Sequence, residues 1–469
     1  KGTRRRAHAE GTQRMHDPTT CLRPYHIGRF PRIGRTRSVP PSTPLMSRFD
    51  HASRREFLSS LGALSLAGVA PALGVSHTGA RTVDLVTDNP AGPFTARGLA
   101  APGDFLLDPT LVYLQTGSMG PSPAPVMQRT IEAWRELERN PTFFGYGAHE
   151  QAMERVREQA AGLLGCTRDE LVLTTSTTDG MNRVAQGLSL GAGDRVLTTD
   201  QEHPGGRACW DYLVRTRGIV LDVVNIAPED HSPVAIVDRL TRAITPRTKV
   251  LSFSHVLSST GLRMPVAELC AAASSRGCLS VVDGAQAVGG IAVHVKTLGC
   301  DVYVTSGHKW LLAPKATGLL YLRPELAQRV DPIELQSGRQ AYTASTGVGN
   351  IPGVLGLGAA IDYLHTRGIA NIEQHNLALR RRVFDALRSI PRVTVLSPAD
   401  GVMRSPLLSY RLPSDVKADV LQRRLHEQHQ VFVKVVPGNW FNGHRISTHL
   451  FNTVQDVDAL QRALRAELG

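Results

Sequence analysis

A chain of 469 residues is long enough to bury large cores and to fold as two or three domains. Its 42% hydrophobic and 20% charged content excludes disorder or a membrane bundle as an overall description. The formal charge of +12 suggests a nucleic-acid partner until it is located: residues 1–45 hold ten Lys or Arg against Glu10 and Asp17 and so carry +8, which leaves +4 for the other 424 residues. A basic tail alone is a weak footprint, so no nucleic-acid partner is expected. The six cysteines (Cys21, Cys166, Cys209, Cys270, Cys278, Cys300) form no CxxC and no paired Cys/His spacing, which indicates neither a metal site nor a disulfide framework.

In chain order, residues 1–45 are Pro- and Arg-rich without periodicity and read as an over-extended start, with natural translation expected from Met46. Ser53-Arg54-Arg55-Glu56-Phe57-Leu58 then precedes an apolar run from Leu61 to Ala70 and the small-residue spacing Ala70-Pro71-Ala72. Residues 46–75 therefore resemble a twin-arginine export signal. The run is shorter than the roughly 20 apolar residues of a bilayer span, so no stable membrane insertion is expected after signal removal. The signal implies the twin-arginine export machinery as a partner and a periplasmic or otherwise exported location, or a cytoplasmic one if the signal is not used. Residues 76–110, rich in Gly, Pro and Ala, read as a linker or arm.

From His149 to Leu164, Met153, Val156, Ala160 and Leu163 recur at helical spacing and Gly165 supplies a stop. Beyond it, strand-like runs alternate with helical stretches: Leu171 to Thr174, Arg195 to Thr199, Ile219 to Asn225, Lys249 to His255, Leu279 to Asp283, Asp301 to Thr305 and Gly318 to Leu322. That alternation predicts an α/β fold with a mostly parallel central sheet covered on both faces, over residues 111–345. Residues 346–469 carry a second α/β pattern, closing on Thr453-Val454-Gln455-Asp456 and a helix with Val457, Leu460, Leu464 and Leu468 on one face, and read as a smaller C-terminal domain.

Polar clusters fall where strands end, the place where parallel sheets bind ligands. One strand ends in Asp283-Gly284-Ala285-Gln286 and another in Ser306-Gly307-His308-Lys309-Trp310. A carboxylate and a lysine facing one pocket make either a structural ion pair or a catalytic pair. Ser176-Thr177-Thr178-Asp179-Gly180 is either a plain helix cap or an anion cradle, since free N–H groups at a helix start suit both. Glu202-His203 follows a further strand, and Arg445 lies in His444-Arg445-Ile446-Ser447; a loop histidine and an arginine are by default surface residues.

Asp-Gly-Ala-Gln followed by Ser-Gly-His-Lys resembles the cofactor pairing of the class V aminotransferase family of fold type I pyridoxal-phosphate (PLP) enzymes. The resemblance runs from about Tyr113 to Leu468, and Tyr113-Leu114-Gln115-Thr116-Gly117-Ser118-Met119-Gly120-Pro121 looks like the opening of isopenicillin N epimerase-like members. It implies pyridoxal 5'-phosphate held by Lys309 as a Schiff base, with Lys309 also the base that moves the Cα proton. Asp283 would sit against the pyridine nitrogen, Ala285 under the ring, Gln286 at the ring hydroxyl and His203 stacked on the ring. Thr177 and Thr178, with Ser306 and His308, match phosphate-binding positions, and Arg445 matches the arginine for the substrate α-carboxylate.

Two positions depart from the family. Ser258 stands where an Asn near the ring hydroxyl is frequent, and Gly347-Val348 replaces a Gly-Thr whose threonine reaches the partner subunit's phosphate, with Thr346 adjacent. No cysteine lies between Val435 and His444, where persulfide-forming desulfurases need one. The expected activity is an aminotransferase or isopenicillin N epimerase-like reaction at the Cα of an amino acid, in a homodimer. A PLP-dependent C–S lyase and a catalytically idle PLP-fold binding protein are the alternatives.

Overall fold

The runs Leu279–Asp283, Val302–Ser306 and Gly318–Leu322 are buried at every position, as strands covered on both faces must be. The structure is a computed structural model and describes residues 98–326 and 329–469; the stretches read from the sequence as an N-terminal extension, an export signal and the first part of a linker lie outside the described residues. Among the described residues no helix is long and apolar enough to cross a membrane. The strands, in chain order, are Val112–Tyr113 (β1), Leu171–Thr174 (β2), Arg195–Thr199 (β3), Val220–Val224 (β4), Thr248–Ser254 (β5), Leu279–Asp283 (β6), Val302–Ser306 (β7), Gly318–Leu322 (β8), Thr394–Val395 (β9), Leu407–Arg411 (β10), Val431–Phe432 (β11), Lys434–Val435 (β12) and Gly443–Ser447 (β13).

Seven of them form the central sheet in the order β2-β8-β7-β6-β5-β3-β4. All pairings are parallel except those of β8, which runs antiparallel to both β2 and β7. Successive side chains feed opposite faces. Leu197, Leu251, Phe253, Val282, Tyr303, Leu319 and Tyr321 enter one core; Val196, Val250, Val281, Val302, Val304, Leu320 and Leu322 enter the other. Helices Thr177–Gly187 and Pro204–Arg217 cover the second face through Met181, Val184, Trp210 and Leu213. Each fully buried aliphatic side chain contributes roughly 1.5–3 kcal/mol over exposure, so the two faces together fix the sheet.

The first face is covered by Ala124–Arg139, His149–Leu164, Pro233–Ala243, Val266–Ser275 and Ile351–Arg367. The last of these lies beyond residue 345, yet its buried residues, among them Ile351, Leu355, Leu357 and Leu364, belong to the first core. The change of sheet comes after that helix. The second sheet, of order β12-β13-β10-β9, is antiparallel and carries its own core with helices Ile369–Arg388, Ala418–His429 and Val454–Leu468. Thr453 and Asp456 close the capping box, and Val457, Leu460, Leu464 and Leu468 are buried. The N-terminal segment joins this second unit: β1 pairs in parallel with β11, and Leu114 is buried in its core.

Candidate active site

Because β2, β3, β5, β6 and β7 run in the same direction, their carboxyl ends share one edge, and the polar motifs that follow them converge there. They line a cavity of about 350 Å³, within the range of ligand sites. Its wall includes Thr177, Thr178, His203, Ser258, Asp283, Ala285, Gln286, Ser306, His308, Lys309 and Arg445, so every site residue expected from the sequence meets in one place. Thr346 and Val348 do not line it; Thr346 is bonded to Thr343 in a local turn.

At one end, Ser176 caps the helix Thr177–Gly187 by accepting from Asp179 N at 3.1 Å. The Thr177 N–H donates to Ser306 Oγ at 2.9 Å, and the two hydroxyls lie 2.8 Å apart, which ties the end of β2 to the end of β7. The Thr178 N–H has no partner among the described residues and opens on the cavity. At this end the helix start, its dipole and the cluster of hydroxyls favour an anion.

Asp283 is 6% exposed and accepts from Ala285 N at 2.9 Å through Oδ1; its Oδ2 has no hydrogen bond among the described residues. Burial pushes its pKa up, against the pull of Lys309 and the Ala285 N–H. Gly206 packs on that free oxygen so tightly that a Cβ there would lie 2.7 Å away. Lys309, after β7, has no partner for its amine among the described residues, and burial brings its pKa down to about 8, with Asp283 opposing and Arg445 assisting. Gly120 allows the N-terminal segment to lie on the backbone of Lys309, where any side chain would collide with the carbonyl. Its N–H donates to His308 O at 2.8 Å.

His203 is exposed on the cavity wall. Its Nδ1 accepts from Gly205 N at 3.1 Å, so the neutral ring carries its proton on Nε2. The cavity walls keep part of the ring from water, and this desolvation, with the nearby Lys309, Arg445 and Lys434, pushes its pKa down to about 4. Behind it, Glu202 accepts from Thr199 Oγ1 and Ser254 Oγ, both at 2.6 Å, and burial raises its pKa to about 7 despite those bonds. Gln286 donates to Gly117 O at 2.8 Å and accepts from Trp310 Nε1 at 2.9 Å, which leaves one amide hydrogen for the cavity. The Ser258 hydroxyl is buried with no partner among the described residues.

Arg445, in the centre of β13, is 5% exposed and faces no carboxylate among the described residues. Nη1 donates to Ser258 O at 2.9 Å and Nη2 to Ser118 Oγ at 3.0 Å, while Nε has no partner among the described residues. Burial lowers its pKa to about 10, so it stays charged at neutral pH. Sequence reasoning missed Lys434 and Trp440, which also line the cavity. Lys434 pairs directly with Arg445 across β12 and β13, and Trp440 is fixed by donating to Asp200 O at 3.1 Å. Among the described residues no cysteine lines the cavity; Cys209 and Cys270 lie in the cores with burial raising each thiol to about 12.

A mostly parallel sheet whose carboxyl edge gathers a half-buried lysine, a buried aspartate and an anion-binding helix start defines a fold type I PLP-dependent enzyme. The chain belongs to the aminotransferase class-V family, whose model matches residues 112–460. It is 32% identical over 392 residues to an isopenicillin N epimerase of Streptomyces clavuligerus, covering 79% of this chain and 98% of that one. It is also 32% identical over 339 residues to a cysteine desulfurase of Klebsiella pneumoniae, covering 66% and 80%. Structures of the cystine C–S lyase C-DES, one with cysteine persulfide and one with glycine linked covalently to its PLP cofactor, share the fold at a TM-score of 0.70 and 22% identity, covering 77% of this chain and 98% and 97% of theirs.

The cofactor is pyridoxal 5'-phosphate, and the cavity fits it. Unused polar groups match what that molecule presents: the Thr178 N–H and hydroxyl for a phosphate, Asp283 Oδ2 for a ring N–H, and Ser258 Oγ or the spare Gln286 hydrogen for a ring oxygen.

Proposed function

We propose that the protein binds an amino acid through its α-carboxylate at Arg445 and moves the proton at Cα with the amine of Lys309, in an isopenicillin N epimerase-like or aminotransferase reaction. The observation that carries this reading is a half-buried lysine amine without a partner and a buried arginine without a carboxylate among the described residues, both lining one cavity with Asp283 and Lys434. PLP, when bound, accepts the electron pair left at Cα.

In this reading Thr177, Thr178, Ser306 and His308 would hold the phosphate, Ala285 and His203 would lie against the ring, and Gln286 with Ser258 would serve the ring hydroxyl. Asp283 would hold a proton on the ring nitrogen. A carboxylate shielded from water, with one oxygen spoken for and one free, suits that task. With a pKa of about 8, about a tenth of the Lys309 amine is neutral at pH 7, so it can take a proton and return it. His203, neutral because its pKa is held to about 4, adds no competing cation above the ring.

A second reading is departure of a β-substituent. The likeness to a cysteine desulfurase, together with a cavity that offers no cysteine thiol to take up sulfur, favours a C–S lyase over a persulfide-forming enzyme. We also propose a homodimer, supported by Met127, Ile131 and Trp134, which are exposed on one face of Ala124–Arg139. The twin-arginine signal read in residues 46–75 supports export of the protein.

The deciding experiment follows the Cα proton. The holoenzyme is incubated in D₂O with a panel of L- and D-amino acids and examined by proton NMR. Loss of the Cα signal with inversion supports epimerisation, appearance of a keto acid supports transamination, and release of ammonia with a keto acid lacking the β-substituent supports the lyase. No exchange with any amino acid would overturn the reading in favour of an idle binding protein.

A further inference from the structure

Four charged side chains line the cavity: Asp283, Lys309, Lys434 and Arg445. Three have a task in the reading above. Lys434 has none: it forms no ion pair and no hydrogen bond among the described residues. It sits on the strand next to Arg445, in direct register with it, so the two side chains leave the sheet on the same side. Directly opposed residues have Cβ atoms roughly 4.5–5.5 Å apart, and two like charges at that separation repel unless an anion joins them. Burial and the Arg445 charge both work against the Lys434 ammonium, yet the lining offers no carboxylate to either cation apart from Asp283. The phosphate end of the cavity, built by the starts and ends of other strands, is served by hydroxyls and a helix start and does not call on Lys434.

We propose that Lys434 is a specificity-determining residue that receives a second anionic group, carried on the side chain of the amino acid whose α-carboxylate Arg445 holds. The class of substrate is an α-amino acid with a short acidic side chain. One bound dianion would then satisfy both neighbouring cations at once, and a neutral amino acid would leave Lys434 charged, partly dehydrated and unmatched. The inference rests on the assignment of the α-carboxylate to Arg445.

The test uses the PLP-loaded protein and isosteric pairs: L-aspartate against L-asparagine, and L-glutamate against L-glutamine. Dissociation constants are read from the change in cofactor absorption on titration. Wild type is expected to bind the acid of at least one pair ~10-fold or more tightly than its amide. Lys434→Met should bring that ratio close to one, and Lys434→Arg should restore most of it; the absorption of the cofactor reports that each variant is loaded. Equal binding of acids and amides by wild type would overturn the proposal. So would a Lys434→Met variant that weakens acid and amide by the same factor. If none of the four compounds binds to wild type while neutral amino acids do, only the acidic-substrate inference falls; if no amino acid of any kind binds, the α-carboxylate reading falls and takes this one with it.

Discussion

Arg445→Met removes the guanidinium and keeps a side chain of similar length in the middle of β13. The structure predicts two effects of different size. In the free protein Arg445 costs the fold a buried charge with no carboxylate and an unpaired Nε, and contributes bonds to Ser258 O and Ser118 Oγ. Losing an unsatisfied donor and stranding two acceptors are each worth about 1–3 kcal/mol with opposite signs, so the melting temperature should move by only a few degrees. Catalysis behaves otherwise. Two charge-assisted bonds to a carboxylate at about 1.5–3 kcal/mol each give about 3–6 kcal/mol, which corresponds to roughly 10²–10⁴ in kcat/KM. The assay is the initial rate of Cα deuterium incorporation against substrate concentration, beside a thermal melt. A variant within threefold of wild type in kcat/KM would refute the role given to Arg445, and an unfolded variant would refute the energetic balance.

The other predictions are shorter. Lys309→Ala should lose the near-visible absorption of the covalently held cofactor and slow Cα exchange by about 10²–10⁴, the usual worth of a positioned base. Exchange in the wild type should rise with pH through about 8 as the Lys309 amine becomes neutral; a flat profile between pH 6.5 and 9 would contradict it. His255, His444 and His449 are held neutral by burial, with pKa values of about 3, 4 and 4. Since the unfolded chain binds protons near 6.5 and the folded one does not, their contribution is lost as pH falls from about 6.5 toward 4. Glu202, whose pKa is raised to about 7, and Asp283 and Asp456, which burial also pushes up, oppose this, while His149, His308 and His375, pushed down by burial, add to it. Urea midpoints should therefore drop across that window, and midpoints that rise would refute the neutral assignment. For export, replacing Arg54 and Arg55 by Lys should retain the protein in the cytoplasm on cell fractionation; an unchanged distribution would reject the signal.

Most of the central site could be read before any coordinates, and for a physical reason. A parallel strand buried on both faces is an apolar run, so Asp283 and Ser306 stand out as polar residues at its end, and strand ends lie on one edge. Arg445 was legible only through its motif, because it lies inside a strand and nothing local separates it from a surface arginine. Lys434 was not legible. Its meaning depends on the register of a two-residue strand, too short for an alternating pattern to show. The direction of Gly318–Leu322 was hidden for a related reason: an all-apolar run carries no mark of which way it pairs. The boundary near residue 345 failed to capture Ile351–Arg367 because an amphipathic helix does not announce which core it will join.

The short β1–β11 ladder joins residues 112–113 to residues 431–432. A few residues on, Gly117 receives Gln286 and Ser118 receives Arg445. Residues 112–118 thus complete their contacts only with partners far along the chain, from Gln286 to Arg445. Contacts of such long sequence separation are slow to form. One wall of the cavity therefore depends on contacts that are among the slowest of the fold to form, and a change that weakens the β1–β11 ladder would loosen Ser118 and Gly117 at the site although it touches no cavity residue.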